Sequence, residues 1–235
     1  MSNTESWDRI GARTRSDPPT DDVRYGPNGP AESELRLLGD VRDKRVLDLG
    51  CGTGQATVAF AREGASVIAV DASAQMLVRA RALAEKEDAR VEWHRGDLAD
   101  LAFLRADSVD LAFSAFAVAE VEDLGRVFRQ VHRVLRPGSW FVFSYEHPLA
   151  LCVGREPPET PTTPVYPVVR ESYFDGEPIL VERDGEPILV HQRTIGDVFA
   201  ALGRAGFRVE TIVEPRPGGA VVPDTIVWRA RKEGM

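Results

Sequence analysis

Short apolar runs alternate with amphipathic stretches along most of this chain. The apolar runs predict strands, and the stretches with apolar residues at helical spacing predict helices between them. This alternation is typical of an α/β fold with a mostly parallel sheet. The predicted strands are Arg45–Leu49, Ala65–Val70, Val91–Arg95, Ser108–Ala115, Trp140–Ser144, Phe207–Glu214 and Thr225–Arg231. The predicted helices are Pro30–Asp40, Ala56–Arg62, Ser73–Lys86, Asp123–Arg136 and Ile195–Ala205.

The last two predicted strands are joined by a Pro/Gly-rich segment, Pro215–Pro223, with no helix between them. Parallel neighbours need a long crossover connection, which this segment does not provide. The sequence therefore predicts an antiparallel final pair on an otherwise parallel sheet.

Residues 149–192 interrupt the alternation of strands and helices. Pro157–Pro167 is rich in proline and is predicted to be extended or irregular. The hexapeptide Gly176–Val181 recurs as Gly185–Val190, and Asp184 and Gly185 between the two apolar runs predict a β-hairpin. We interpret residues 149–192 as a cap inserted after the fifth strand of a domain that spans 31–235, beside the substrate site.

Residues 1–30 form a polar, proline-containing lead-in, to which Trp7, Ile10 and Tyr25 are exceptions. Two interpretations are open. The segment is either a loose tail whose aromatic residues pack on the domain, or a flap that closes over the functional site.

Composition narrows the class of protein. The 235 residues, 43% hydrophobic and 28% charged, suit one substantial globular domain. A net charge of −8 argues against general nucleic-acid binding. The polar N-terminus and the lack of a long apolar run predict a cytoplasmic protein with no membrane span, in which Cys51 and Cys152 are reduced thiols. No metal site is predicted.

The stretch from Val46 to Gln55 carries the clearest chemistry. A buried strand runs into a turn with glycine at positions 50, 52 and 54, and a helix follows. Such a turn lets the backbone approach a nucleotide-like ligand at the carboxyl end of the strand. Dinucleotide sites favour G-x-G-x-x-G/A, whereas this spacing is G-x-G-x-G and Gln55 replaces the third small residue. Asp48 adds a carboxylate that suits a cationic ligand better than a pyrophosphate.

On these residues the chain resembles the class I S-adenosylmethionine-dependent methyltransferases, whose motif I has the form of residues 46–55. Leu135–Gly138 followed by Trp140–Ser144 matches the turn into the fifth strand of the same family, and the resemblance covers about residues 31–150 and 194–231. It implies a Rossmann-like, seven-stranded sheet with helices on both faces and an antiparallel last strand. The implied cofactor is S-adenosyl-L-methionine.

The resemblance also implies a set of cofactor contacts. Asp71, after the second strand, would bind the ribose diol; the alternative is a helix cap, for which Ser73 is the better candidate. Asp97 would bind the adenine amino group, and the alternative is a turn residue. The full set expected at the cofactor is Tyr25, Asp48, Gly50, Cys51, Gly52, Gly54, Gln55, Asp71, Ala72, Met76, Gly96, Asp97, Leu98, Ser114 and Ala115.

For catalysis, the segment after the fifth strand is the best candidate. His147 is the first choice for a general base because imidazole titrates near neutrality, and Glu146 is the second. The alternative for His147 is a structural hydrogen bond that orients the loop before Pro148. Many relatives place histidines where this chain has Ala119 and Glu120. The residues expected to contact the substrate are Trp7, Glu120, Tyr145 and Tyr173.

The sequence thus predicts an enzyme that moves a methyl group to an oxygen, nitrogen or carbon atom of a small-molecule acceptor. The resemblance is greatest to bacterial methyltransferases of quinone or secondary metabolism. Two alternatives stay open: a non-catalytic S-adenosylmethionine-binding protein and a nicotinamide-dependent oxidoreductase. No nucleic-acid or membrane partner is expected, and the sequence does not indicate the oligomeric state.

Overall fold

The structure, a computed structural model, describes residues 2–27, 29–155, 167–216 and 221–234. Its strands are β1 (Arg45–Leu49), β2 (Ser66–Asp71), β3 (Val91–Arg95), β4 (Val109–Ala115), β5 (Leu135–Glu146), β6 (Val153–Arg155), β7 (Pro167–Val169), β8 (Pro178–Arg183), β9 (Glu186–His191), β10 (Phe207–Val213) and β11 (Thr225–Lys232). Its helices are α1 (Asn3–Arg13), α2 (Glu32–Leu35), α3 (Gln55–Arg62), α4 (Ala74–Lys86), α5 (Leu124–Val134), α6 (Pro148–Cys152) and α7 (Ile195–Arg204), and a 3₁₀ turn spans Val118–Glu120.

Seven strands form the central sheet in the order β10-β11-β5-β4-β1-β2-β3. Strands β1 to β5 pair in parallel, whereas β11 is antiparallel to both β5 and β10. The predicted α/β class and the reversed last strand are therefore confirmed. The β1–β4–β5 centre of the sheet is buried on both faces, as parallel sheets are when helices cover them.

Two large hydrophobic clusters lie on the two faces of this sheet. One contains Phe128 of α5 and Leu202 of α7, packed on Phe141, Phe143 and the other core residues of β5 and β11. The other packs Phe60 of α3 and Val23 against Phe113 of β4. The predicted arrangement with helices on both faces follows from this distribution.

The N-terminal half differs from the sequence prediction at two helices. The lead-in forms α1, which begins with a capping box between Ser2 and Glu5. The predicted helix Pro30–Asp40 is reduced to α2, which ends at Arg36 in the left-handed conformation. The carboxylate of Glu32 accepts the backbone N–H groups of Leu37 and Leu38, so these groups are satisfied without a continuing helix.

The predicted hairpin is present as β8 and β9, joined by Asp184 and Gly185. Within the inserted cap, β6 and β7 pair with each other, while residues 156–166, which hold most of the proline-rich segment, lie outside the described residues. Strand β9 packs on α1, where Ile188 and Val190 form an apolar cluster with Ile10 and Met76. We call α1 and the β8–β9 hairpin together the cover.

Polar contacts also join the two parts of the cover. Arg9 and Arg13 of α1 form ion pairs with Glu186 of β9 at 2.7 and 2.8 Å. The side chain of Asn3 exchanges two hydrogen bonds of 2.8 Å with the backbone of Leu189. The N-terminal helix is therefore docked on the hairpin. No helix among the described residues is long and apolar enough to cross a membrane.

The turn after β1 packs directly beneath the turn after β4. Gly50 has a φ of 72°, and a Cβ at this position would lie 2.2 Å from Cβ of Ala117. Gly52, with a φ of 53°, would meet no atom within 4 Å. Glycine is required at position 50 by both conformation and space, but at position 52 by conformation alone.

These two glycines provide a matched test of the turn. Gly52→Ala should lower the free energy of unfolding by about 1–2 kcal/mol through left-handed strain. Gly50→Ala should cost about 1–3 kcal/mol more, because the added methyl also overpacks against Ala117. Urea unfolding of both variants measures the difference. Equal losses in the free energy of unfolding would show that the turn shifts to accommodate the methyl group at position 50.

Candidate functional site

A cavity of about 1230 Å³ lies over the carboxyl ends of β1, β2, β3 and β4. This is the edge at which open α/β sheets bind ligands. Asn3, Trp7 and Ile10 of α1 line the cavity from the opposite side, and Asp184 of the hairpin turn also reaches it. The cavity wall facing the sheet is thus formed by α1, and the hairpin supports that helix from behind.

Asp71 holds together the two loops at the floor of the cavity. Its Oδ2 accepts the N–H of Gly52 at 2.8 Å, and its Oδ1 accepts the N–H of Ser73 at the same distance. Burial raises the pKa of Asp71, and the two backbone hydrogen bonds oppose that rise. Ser73 caps α4 by accepting the N–H of Met76, so the alternative role of helix cap belongs to Ser73, as the sequence favoured.

Asp48 lies deeper, at the end of β1. Its side chain is buried and accepts a hydrogen bond from the hydroxyl of Thr57 on α3. Burial raises the pKa of Asp48 to about 7, and the negative charge of Asp71 adds to the rise, whereas the Thr57 hydroxyl lowers it. A cationic ligand in the cavity would therefore favour ionised Asp48.

Glu120 lies on the 3₁₀ turn after β4, on the cavity wall below α1. Its Oε2 accepts hydrogen bonds from Nε1 of Trp7 at 2.7 Å and from Nδ2 of Asn3 at 3.2 Å. Burial raises the pKa of Glu120 to about 7. The charge of Asp71 raises it further, whereas the Trp7 and Asn3 hydrogen bonds and the charge of Arg183 lower it. The carboxyl group of Glu120 can therefore gain or lose a proton near neutral pH.

Two cavity residues also have structural partners. The amide of Gln55 donates to the carbonyls of Pro19 and Asp22, which ties the N-terminal segment to the start of α3. Asp97 Oδ1 accepts the N–H of Ala99 at 2.8 Å, as expected for a turn residue, while the side chain still lines the cavity.

The cavity brings together most of the residues selected from the sequence. Those that line it are Trp7, Asp48, Gly50, Cys51, Gly52, Gln55, Asp71, Ala72, Met76, Gly96, Asp97, Leu98, Ala115 and Glu120. Burial raises the pKa of the Cys51 thiol, so this cysteine is a poor nucleophile.

Three residues expected at the cofactor are not part of the cavity lining. Tyr25 is fully buried against Phe113, and its hydroxyl donates to Glu32. The Ser114 hydroxyl is buried and donates to the carbonyl of Leu49. Gly54 packs on α4, since a Cβ there would lie 3.0 Å from Cβ of Ala80.

The residues expected to supply a base also lie away from the cavity lining. His147 is buried, its Nδ1 accepts the N–H of Leu149 to cap α6, and its Nε2 lies 2.9 Å from Oε1 of Glu214. Glu146 forms an ion pair with Arg183. Both ring nitrogens of His147 are thus engaged in structural contacts. This agrees with the alternative to a general base, a structural hydrogen bond that orients the loop before Pro148.

Tyr145 and Tyr173, expected at the substrate, have structural surroundings as well. Tyr145 is buried and stacks on Phe143. The Tyr173 hydroxyl accepts the N–H of Ile195 at the start of α7. Neither tyrosine lines the cavity. Of the four residues expected to contact the substrate, Trp7 and Glu120 are the two that line it.

Several cavity residues were not selected from the sequence, among them Asn3, Arg24, Arg95, Phe116, Glu122 and Asp184. Asn3 belongs to α1, which the Ser2–Glu5 capping box could have indicated. Asp184 was recognised only as a turn residue. Its position at the cavity depends on how the hairpin packs against α1.

Comparison with known proteins gives a consistent picture. The family model described as "Methyltransferase domain" matches residues 46–138. A crystal structure of an S-adenosylmethionine-dependent methyltransferase from Mesorhizobium loti superposes with a TM-score of 0.72 at 32% identity, covering 85% of this chain and 95% of that one. A similar structure from Listeria monocytogenes gives a TM-score of 0.73 at 26% identity, covering 86% and 98% of the two chains.

Curated relatives match over a shorter region. A malonyl-[acyl-carrier protein] O-methyltransferase of Hamiltonella defensa is 34% identical over 47% of this chain and 41% of its own length. A magnesium-protoporphyrin O-methyltransferase of Rhodobacter capsulatus is 39% identical over 46% of this chain and 48% of its own. The chain thus spans less than half the length of these curated relatives.

The buried carboxyl of Asp48 predicts a specific pH dependence. Because its folded pKa is raised above the unfolded value, Asp48 contributes stability that is lost as pH rises from about 4 to about 7, by at most about 1.4 kcal/mol per unit. In Asp48→Asn this loss disappears. The free energy of unfolding of the variant, relative to wild type, should therefore increase across this range.

Urea unfolding at several pH values measures this effect without added ligand. Asp21→Asn, at an exposed position, is the matched control and should run parallel to wild type. A constant difference between Asp48→Asn and wild type would contradict the prediction.

Proposed function

Because this chain belongs to the family of S-adenosylmethionine-dependent methyltransferases, we propose that it transfers a methyl group to an oxygen, nitrogen or carbon atom of a small-molecule acceptor. The observation that carries the proposal is the convergence of Asp48 and Asp71 on the glycine turn at the floor of the cavity. The cytoplasmic location and the lack of a nucleic-acid partner stay predictions from the sequence.

The residues around the glycine turn fit S-adenosylmethionine. Open space beside Gly52 leaves room for a ligand against the backbone. The Asp71 carboxylate, already oriented by two backbone N–H groups, retains lone pairs that can accept hydrogen bonds from a ribose diol. Asp48 supplies negative charge suited to a ligand that carries an ammonium and a sulfonium. Asp97 and Leu98 follow β3, where an adenine ring would lie beside them.

S-adenosylmethionine supplies an activated methyl group attached to a sulfonium. The protein must then bind and orient the acceptor, exclude water, and accept a proton where the attacking atom carries one. The cover suits the exclusion of water, because α1 lies across the cavity and is docked on the hairpin. In this proposal α1 is the flap, and the hairpin in residues 149–192 holds it closed together with α4, where Asp8 accepts hydrogen bonds from Ser73 and Gln75.

An enclosed small acceptor fits the site better than a macromolecular surface. Helix α1 lines one side of the cavity, where the Trp7 ring is bonded to the carboxylate of Glu120, and Glu122 also lines the cavity. The relatives include a ubiquinone biosynthesis O-methyltransferase and a magnesium-protoporphyrin O-methyltransferase. These names support the general class of reaction and leave the acceptor of this chain to be identified.

Ligand-induced stabilisation tests the cofactor assignment. S-adenosylhomocysteine should raise the Tm of the full chain, and NAD should not, because a ligand that binds only the folded state stabilises it. Asp71→Asn should weaken S-adenosylhomocysteine binding roughly tenfold to a hundredfold by removing a charged hydrogen-bond acceptor. Calorimetry measures the affinities, and the exposed Asp21→Asn variant is the control. Stabilisation by NAD alone would refute the proposal.

A second test separates the cover from the cofactor site. Ile188 is fully buried between the hairpin and α1, so Ile188→Asp should undock the cover. Hydrogen exchange should rise in α1 and in β8–β9 together, while affinity for S-adenosylhomocysteine falls by less than about threefold and methyl transfer is lost.

Leu180→Asp, on the exposed side of the same hairpin, is the matched control and should change neither property. If Ile188→Asp instead unfolds the central sheet, the cover is part of the main core. If exchange rises in the hairpin but not in α1, the two do not act as one unit.

A further inference from the structure

The carboxyl group of Glu120 is asymmetrically bonded. Two groups of α1, Trp7 Nε1 and Asn3 Nδ2, both donate to the same oxygen, Oε2. Among the described residues no donor is bound to Oε1. Glu120 itself lines the cavity, so α1 fixes one oxygen and leaves the other able to bind a ligand.

We propose that Glu120 binds the acceptor of the methyl transfer through Oε1 and takes the proton that leaves the attacking atom. The acceptor would then be a compound with an N–H or O–H nucleophile, and not a carboxylate. This inference rests on the proposed function, because it names the substrate class and the proton acceptor of the same site.

The charges around Glu120 support this role. Asp71 of β2 adds negative potential, and Arg183 of β8 adds positive potential. Arg183 is itself paired with Glu146 of β5, so it only partly offsets the negative charge at Glu120. Burial raises the pKa of Glu120 to about 7, which suits a group that must accept a proton near neutrality.

Strands β5 and β9 and helix α5 pack on the 3₁₀ turn, and the guanidinium of Arg193 donates to the carbonyls of Val121 and Glu122 just after it. Strand β9 contributes the buried apolar residues Ile188 and Val190, while its Glu186 is engaged by Arg9 and Arg13. The nearby Glu122 also lines the cavity. An acceptor carboxylate would therefore enter a region of like charge, whereas an ammonium or a neutral donor would be favoured.

The reaction step balances with these groups. An acceptor bound as an ammonium has no lone pair on nitrogen, so it first gives one proton to Oε1 of Glu120. The lone pair of the neutral nitrogen, or of the oxygen of an O–H acceptor, then forms a bond to the methyl carbon as the bond between that carbon and sulfur breaks. The electron pair of the broken bond stays on sulfur, which leaves a neutral thioether. The proton of the acceptor N–H or O–H passes to Oε1 of Glu120 and then to solvent. No oxidant or reductant is needed.

Three small molecules that share a phenylalkyl group and differ in their polar group test the proposal without knowledge of the natural acceptor. They are 2-phenylethylamine, 2-phenylethanol and 3-phenylpropionate, titrated into the full chain saturated with S-adenosylhomocysteine. Wild type should bind the amine most tightly, the alcohol next and the acid least. Amine binding should strengthen as pH rises from about 6 to about 8, because Glu120 ionises while the ammonium, with a pKa of about 10, stays charged.

Glu120→Gln should weaken amine binding roughly tenfold at about pH 8 and reduce its pH dependence to the contribution of Asp48, since the neutral amide attracts the ammonium less. Affinity for S-adenosylhomocysteine should stay within about threefold of wild type. Glu182→Gln, an exposed carboxylate on β8, is the matched control and should behave as wild type in both measurements. Glu120→Asp keeps the charge and should restore the preference for amine over acid, which a purely structural role would not require.

The outcomes separate the two proposals. Failure of S-adenosylhomocysteine to bind wild type would refute the proposed function. If it binds, three results would each overturn the role of Glu120. They are equal binding of amine and acid, no detectable amine binding, and unchanged amine binding in Glu120→Gln.

Discussion

The hydrogen bonds of Asp71 are the constraint on which the site depends. One carboxylate oxygen holds the glycine turn after β1, and the other holds the start of α4 after β2. The N–H groups of Gly50 and Cys51 also bond to the carbonyl of Val70, but it is the Asp71 side chain that joins the glycine turn to the start of α4. Because the carboxylate is buried, it is itself destabilised by its position. In the proposed function, the same carboxylate supplies hydrogen-bond acceptors for the cofactor.

Asp48 and Glu120 extend this principle to the rest of the cavity. Both carboxyls have raised pKa values because of burial, and the charge of Asp71 raises both. A site that concentrates negative charge in this way favours cationic ligands and groups that can donate a proton. The cofactor of the family and the acceptor class that we infer for Glu120 both match this electrostatic character.

The cover shows how distant segments complete the site. Helix α1 supplies Trp7 and Asn3, which orient Glu120, and it is docked by ion pairs and apolar contacts on the inserted hairpin. Loss of the hairpin packing would therefore also disturb the orientation of Glu120. This coupling links the insertion to chemistry even though Asp184 is the only described residue of 149–192 that lines the cavity.

The sequence by itself determined the central sheet, the reversed last strand, the hairpin and the glycine turn, because each depends on short-range periodicity or turn chemistry. It also favoured Ser73 as a helix cap, since capping is local. Only the tertiary structure decided that His147 caps α6 while Glu120 faces the cavity. The contact of Trp7 with Glu120 joins residues 113 positions apart. No local pattern encodes such a contact, because it depends on how the hairpin, α1 and the sheet pack together.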